Sequence, residues 1–97
     1  MQEQQLAYQE QKFEVQRAAA LVELDKHNVL LKFYEQSGLR QSEEIIRAAT
    51  LSYRSGAISF AELSQFLSQA IGIRQNYLEA LNLYNQAVIQ INYYDNK

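Results

Sequence analysis

The sequence predicts an all-α protein: a long antiparallel helical hairpin of coiled-coil character. Three observations predict it. The 97 residues include no Pro and only three Gly, so signals that would end a helix are scarce. Apolar residues recur at helical spacing on both sides of one firm break, Tyr53 to Phe60, and two long helical runs joined by a few residues fold back on each other. The second run also opens on Ser59-x-x-Glu62, the signature of a capped helix start.

The first segment runs from Gln2 to about Gln36. Leu6, Phe13, Ala20, Leu24, Leu31 and Tyr34 form a heptad-like stripe, with Val15, Leu21 and Asn28 beside it. Glu14 with Arg17 and Glu23 with Lys26 have favourable i,i+3 spacing. Gln, Ala, Leu and Glu dominate, and all are good helix formers. The stripe is weak before Leu6, which predicts fraying there. At 1.5 Å per residue the helix would be roughly 50 Å long, far beyond the ordinary globular helix.

Ser37-Gly38 is the first interruption. Two readings stand. Gly38 can end the helix in the left-handed conformation, with Gln41 or Ser42 starting a new one and Glu43 and Glu44 in its first turn. Alternatively the helix runs through with a kink, because a helical Gly costs only about 1 kcal/mol against Ala. The second segment runs from Leu39 to Arg54, with its helix at about 40–55, and has an apolar face of Leu39, Ile45, Ile46, Ala49 and Tyr53. Arg54 suits the negative end of the helix dipole, and Gly56 is placed to terminate the helix.

The third segment spans 59–94. Ser59 and Glu62 can cap each other's backbone N–H groups, and Ile58 and Leu63 have the spacing of a hydrophobic staple. Two apolar stripes follow. One is Phe60, Leu63, Leu67, Ala70, Leu78, Leu81 and Val88; the other is Phe66, Ile73, Tyr77, Ala80, Tyr84, Ala87 and Ile91. The only formal charges between Phe60 and Tyr94 are Glu62, Arg74 and Glu79. Two stripes predict more than one packing partner. The uncharged Gln/Asn surface suits contact with like copies. A three-helix bundle burying both stripes internally is the plainer alternative.

Charge and motifs exclude several functions. A net charge of -2 and a pI near 5.3 argue against nucleic-acid binding, which needs a basic stripe. No window approaches the ~18–20 apolar residues of a membrane span. With no Cys there is neither a disulfide framework nor a thiolate metal site. His27 is the only histidine; Glu23 and Asp25 near it are not read as chelating partners, so no metal or other cofactor is expected. Glu43-Glu44 reads as a helix-start pair, not an acid/base pair. The serines have no His in a triad-like arrangement, and Gly38 and Gly56 form no phosphate loop. Nothing supports an enzyme. Met1-Gln-Glu-Gln-Gln does not open a signal peptide.

The ordered series from Ser42 to Tyr94 carries a resemblance. Ala48, Tyr53, Gly56, Ser59, Glu62 and Leu63, followed by Ala70, Tyr77, Leu78, Ala80, Leu81, Tyr84, Asn85 and Ala87, resemble the last periplasmic hairpin of TolC-type outer membrane efflux proteins. Tyr34 to Leu39 also resembles a segment where metal-efflux members carry Leu-Pro; this chain has Leu39-Arg40. The Ala70–Ala87 run further resembles the TolC-like tail fused to heavy-metal pumps of the CzcA/CusA type in the resistance-nodulation-division class.

The resemblance implies a non-catalytic wall and tip of a periplasmic tunnel. The chain would be a single hairpin domain, 1–97, at the C-terminus of a larger efflux protein. The parent would be a trimer working with a periplasmic adaptor and an inner-membrane pump to export heavy-metal cations or drugs. By match, the tip and docking residues are Tyr53, Arg54, Gly56, Ile58, Ser59 and Glu62, with Tyr53 at a tip tyrosine position and Glu62 in an acidic ring. Ile58 falls where some members carry a gating arginine, so that latch is absent. Gln65 replaces a second acidic residue, weakening any cation-selective ring. The alternative is a self-associating coiled-coil adaptor with no transport role; a metal-sensing bundle is a weaker one.

Overall fold

A computed structural model describes residues 2–96, with side chains from Leu6 onward. It is an all-α hairpin forming a rod 79 Å long and 20 × 15 Å across. Helix α1 spans Gln2–Phe33, a single wide π-helical turn spans Tyr34–Gly38, and helix α2 spans Leu39–Arg54. These three form one continuous arm. Helix α3, Phe60–Asp95, returns along that arm as far as Phe13 and Arg17, and α1 extends beyond its end. No helix among the described residues is long and apolar enough to cross a membrane.

The interruption expected at Ser37-Gly38 takes the form of that wide turn, with the helix unbroken. Gly38 has φ −62° and ψ −47°, ordinary right-handed helix, so it does not stop the chain. The reading of Gln41 or Ser42 as a new N-cap, with Glu43 and Glu44 in a first turn, is therefore corrected. Ser42 is fully buried in mid-helix, and its hydroxyl donates to the Ala70 carbonyl on α3 at 3.1 Å. At Gly38 a β-carbon would lie 2.7 Å from Tyr34 Cδ1 and 3.6 Å from Ile73 Cγ2. The glycine is needed for a close approach, because the Tyr34 ring fills the space a side chain would take. At the start of α1 the backbone is helical from Gln2, where the weak stripe predicts fraying.

The most deeply buried positions of the seam between the arms are mainly small residues. Ala20, Ala49, Ala70, Ala80 and Ala87 are buried, with Leu31 and Ile91 the only large apolar residues as deeply covered among those described. On the first arm the inner line runs through Phe13, Arg17, Ala20, Leu24, His27, Leu31, Tyr34, Gly38, Ser42, Ile45, Ala49 and Ser52, with Asn28, Ser37, Leu39, Ile46 and Thr50 half-buried beside it. Steps of four and three alternate along the inner line, as a coiled-coil seam requires, except that two steps of four meet at Gly38. On α3 the line is Leu63, Leu67, Ala70, Ile73, Tyr77, Ala80, Tyr84, Ala87, Ile91 and Tyr94. Here two steps of three meet at Ala70. Removing one residue between Tyr34 and Gly38 would give the first arm the same 4-3-3-4 order. The π turn thus carries one residue more than the facing helix; its wider turn rotates the chain less per residue and keeps both flanks facing inward.

The two apolar stripes expected on α3 are not both covered. The inner line takes Leu63, Leu67 and Ala70 from one and Ile73 to Ile91 from the other. Phe60, Phe66 and Leu78 remain exposed, as do Ile71 and Ile89. A seam with 3.5-residue spacing winds across a straight helix, so it uses part of each expected stripe. On α1, Val15 and Leu21 are also exposed.

The expected charge pairs give way to others. Arg17 Nε binds Asp95 Oδ1 at 2.8 Å across the open end of the hairpin. Phe13 meets Tyr94 edge to face at 5.3 Å beside it. Glu23 Oε2 stands 3.5 Å from His27 Nε2, one turn on, instead of pairing with Lys26. Both charges of the Arg17–Asp95 pair are substantially exposed, so it fixes alignment more than it adds stability.

Candidate functional site: the hairpin tip

Two capping devices back to back build the tip. At the end of α2, Ser55 closes the helix and Gly56 follows with φ +81°. The Ala57 N–H donates to Ser52 O at 2.8 Å, and the Gly56 N–H to Tyr53 O at 3.1 Å. That pair of bonds is the Schellman arrangement, which satisfies carbonyls the helix end leaves open. Ser55 Oγ also donates to Ser52 O at 3.0 Å. Gly56 terminates the helix as its sequence position predicts.

No atom lies within 4 Å of where a Gly56 β-carbon would sit. The demand for glycine is therefore purely conformational. Gly56→Val is expected to cost at least about 1 kcal/mol, and Gly56→Asn less, since Asn tolerates this region better. Thermal melting of the three proteins checks the order.

The start of α3 is fixed by Ser59, extended at φ −78° and ψ 166°. Its Oγ accepts from the Glu62 N–H at 3.1 Å, and the Ser59 N–H donates to Glu62 Oε1 at 3.3 Å. The Ser59 hydroxyl also donates to Glu62 Oε1 at 3.1 Å. The capping box read from the sequence is complete. Glu62 is exposed and its carboxylate accepts from both the N–H and the hydroxyl of Ser59, with its charge at the positive end of the helix dipole. Glu62→Ala is expected to lower stability by up to about 1 kcal/mol, measurable as a fall in urea midpoint with unchanged slope.

The tip gathers the residues singled out from sequence, though not into one pocket. Tyr53, Arg54, Gly56, Ser59 and Glu62 are exposed and Ile58 is half-buried. Tyr53 leans edge to face on Phe60, centroids 6.2 Å apart. That pairing joins the two arms just behind the turn. Phe60 belongs to this tip surface and not to the inner seam, a role that stripe counting missed; the signal was its position directly after the cap, outside the first buried turn. Ile58 faces inward instead of standing free. With Ile45, Ala48, Ala49, Ser52 and Phe66 it lines an open apolar hollow of about 240 Å³ between the arms.

The tip therefore offers an aromatic pair, one cation and one anchored carboxylate on a rigid turn. No group of three metal-ligating side chains occurs among the described residues. Away from the tip, the amide-bearing side chains Gln65, Gln69, Gln75, Asn76, Asn82, Asn85, Gln86, Gln90 and Asn92 line the exposed surface of α3. No family model, curated protein or solved structure matches this chain.

Proposed function

We propose that this chain is a non-catalytic wall and docking segment of a tripartite efflux system, exporting heavy-metal cations or drugs across a Gram-negative envelope. The observation that carries the reading is the ordered Tyr53-x-x-Gly56-x-x-Ser59-x-x-Glu62 series on a rigid, doubly capped tip. In this reading α3 turns its uncharged amide surface to a water-filled duct, where Gln and Asn remain solvated without trapping cargo by charge. The tip presents Tyr53, Arg54 and Glu62 to a periplasmic adaptor, beneath an inner-membrane pump of the resistance-nodulation-division class that supplies the energy. The parent is a homotrimer, located in the periplasm as part of an envelope-spanning protein.

A photo-crosslinking amino acid at Ala57, exposed beside the turn, tests the docking role in the parent protein within its native envelope. Cross-linking to a periplasmic adaptor, identified by mass spectrometry, supports the reading. Cross-links to other partners alone, with unchanged metal and drug resistance in Glu62→Gln cells, overturn it.

One observation favours a second reading, a self-associating adaptor. Val15, Val22 and Val29 on α1 and Ile71, Leu78 and Ile89 on α3 are all exposed in one copy, and association of copies would cover them. Analytical ultracentrifugation gives that reading its test: a stable oligomer of the isolated chain, from a parent whose loss leaves efflux unaffected, would favour it.

A further inference from the structure

We infer that the hairpin carries a bending hinge about two-fifths of the way from its tip, where the π turn of one arm lies level with Gly72 of the other. The level is fixed by two cross-arm relations. Ser42 bonds the Ala70 carbonyl, and Gly38 lies against Ile73.

Three features coincide there. On the first arm, Tyr34–Gly38 is a π turn, with the Ser37-Gly38 pair inside it; both π turns and Gly/Ser pairs are places where helices bend. On the second arm, Gly72 sits in mid-helix with open space where its β-carbon would be. No close neighbour requires glycine there, yet it is the residue, save proline, that least favours a helix. Both seams also break their alternating step at this level, while the seam on either side is regular.

The two arms thus have their least stiff points at the same height, and a bend in one is not resisted by a straight segment of the other. Each flank is held independently. The base half has Ala80, Ala87, Ile91 and the Arg17–Asp95 and Phe13–Tyr94 contacts. The tip half has Ala49, the capped turn and the Tyr53–Phe60 pair. The buried Ser42–Ala70 bond holds the arms together beside the pivot and limits sliding. The motion is a swing of the tip half as a unit, carrying Gly56 and Glu62 with it. It follows whether the hairpin lines a duct or joins an adaptor bundle.

The chain has no Cys, so spin labels can be placed on introduced cysteines without a background. Gln65→Cys with Gln86→Cys puts exposed labels on either side of Gly72, about 32 Å apart at helical rise. Gln75→Cys with Gln90→Cys puts both in the base half, about 22 Å apart. Pulsed dipolar spectroscopy is expected to give a distance distribution at least about twice as wide for the spanning pair. Gly72→Ala combined with deletion of Gln36, which closes the π turn, is expected to narrow it toward that of the control pair. A spanning distribution as narrow as the control, or one left unchanged by the stiffened variant, overturns the hinge.

Discussion

Replacing Ala70 with Leu is expected to destabilise the hairpin by about 3 kcal/mol, at the upper end of the usual overpacking range, with a fall of more than about 10 °C in melting temperature. Ala70 has no exposed surface, and the Ser42 hydroxyl reaches its carbonyl across the seam. The three added carbons have nowhere to go except between the arms. They would push Ser42 away from its acceptor and leave a buried hydroxyl unpartnered, adding a desolvation cost to the steric one. Ser42→Ala separates the two effects. It removes the bond without adding volume, and the Ala70 carbonyl remains within the α3 helix ladder, so a loss of only about 1 kcal/mol is expected. Calorimetry on both variants checks the difference; equal losses would mean that the arms do not meet as closely as Ala70 requires.

The second large effect is a contrast between two single-residue deletions. Deleting Gln36 is expected to leave the hairpin folded, with a melting temperature within a few degrees of the parent. The π turn holds one residue more than its facing helix, and losing it turns a wide turn into an ordinary one. Leu31 on one side and Ser42 on the other keep facing the seam. Deleting Gln75 from α3 is expected to unfold the base half. No wide turn occurs in α3, so every residue beyond the deletion rotates by about 100°. Tyr77, Ala80, Tyr84, Ala87 and Ile91 would leave the seam together, and the Phe13–Tyr94 and Arg17–Asp95 contacts would be lost. Circular dichroism on heating reads both proteins. Similar losses in the two deletions would show that the π turn does not absorb register.

The tip was legible because its determinants are local. A left-handed Gly56 and a Ser59–Glu62 box each act over three or four residues, and each uses side chains with few alternative roles at that spacing. The same local logic left two readings open at Gly38. A glycine after a serine, with acidic residues following, reads like a stop and restart. What decides between a stop and a wide turn is where the Tyr34 ring lies and what faces it from α3, and neither is local. Ser42 misled for the same reason. A serine near a helix start is usually a cap, but here its hydroxyl donates to a carbonyl on the opposite arm.

The sequence by itself determined that this chain is all helix, that it folds back at Tyr53–Phe60, and how that turn is closed. Helix propensity, apolar spacing and capping are short-range properties, written within a few residues of where they act. The pairing of the arms was decided only in the tertiary structure. It selected one inner line from two competing α3 stripes, placed small residues where backbones come close, and absorbed an extra residue in a π turn. Those choices depend on which residue of one arm stands opposite which of the other, a relation set by the register of the whole hairpin.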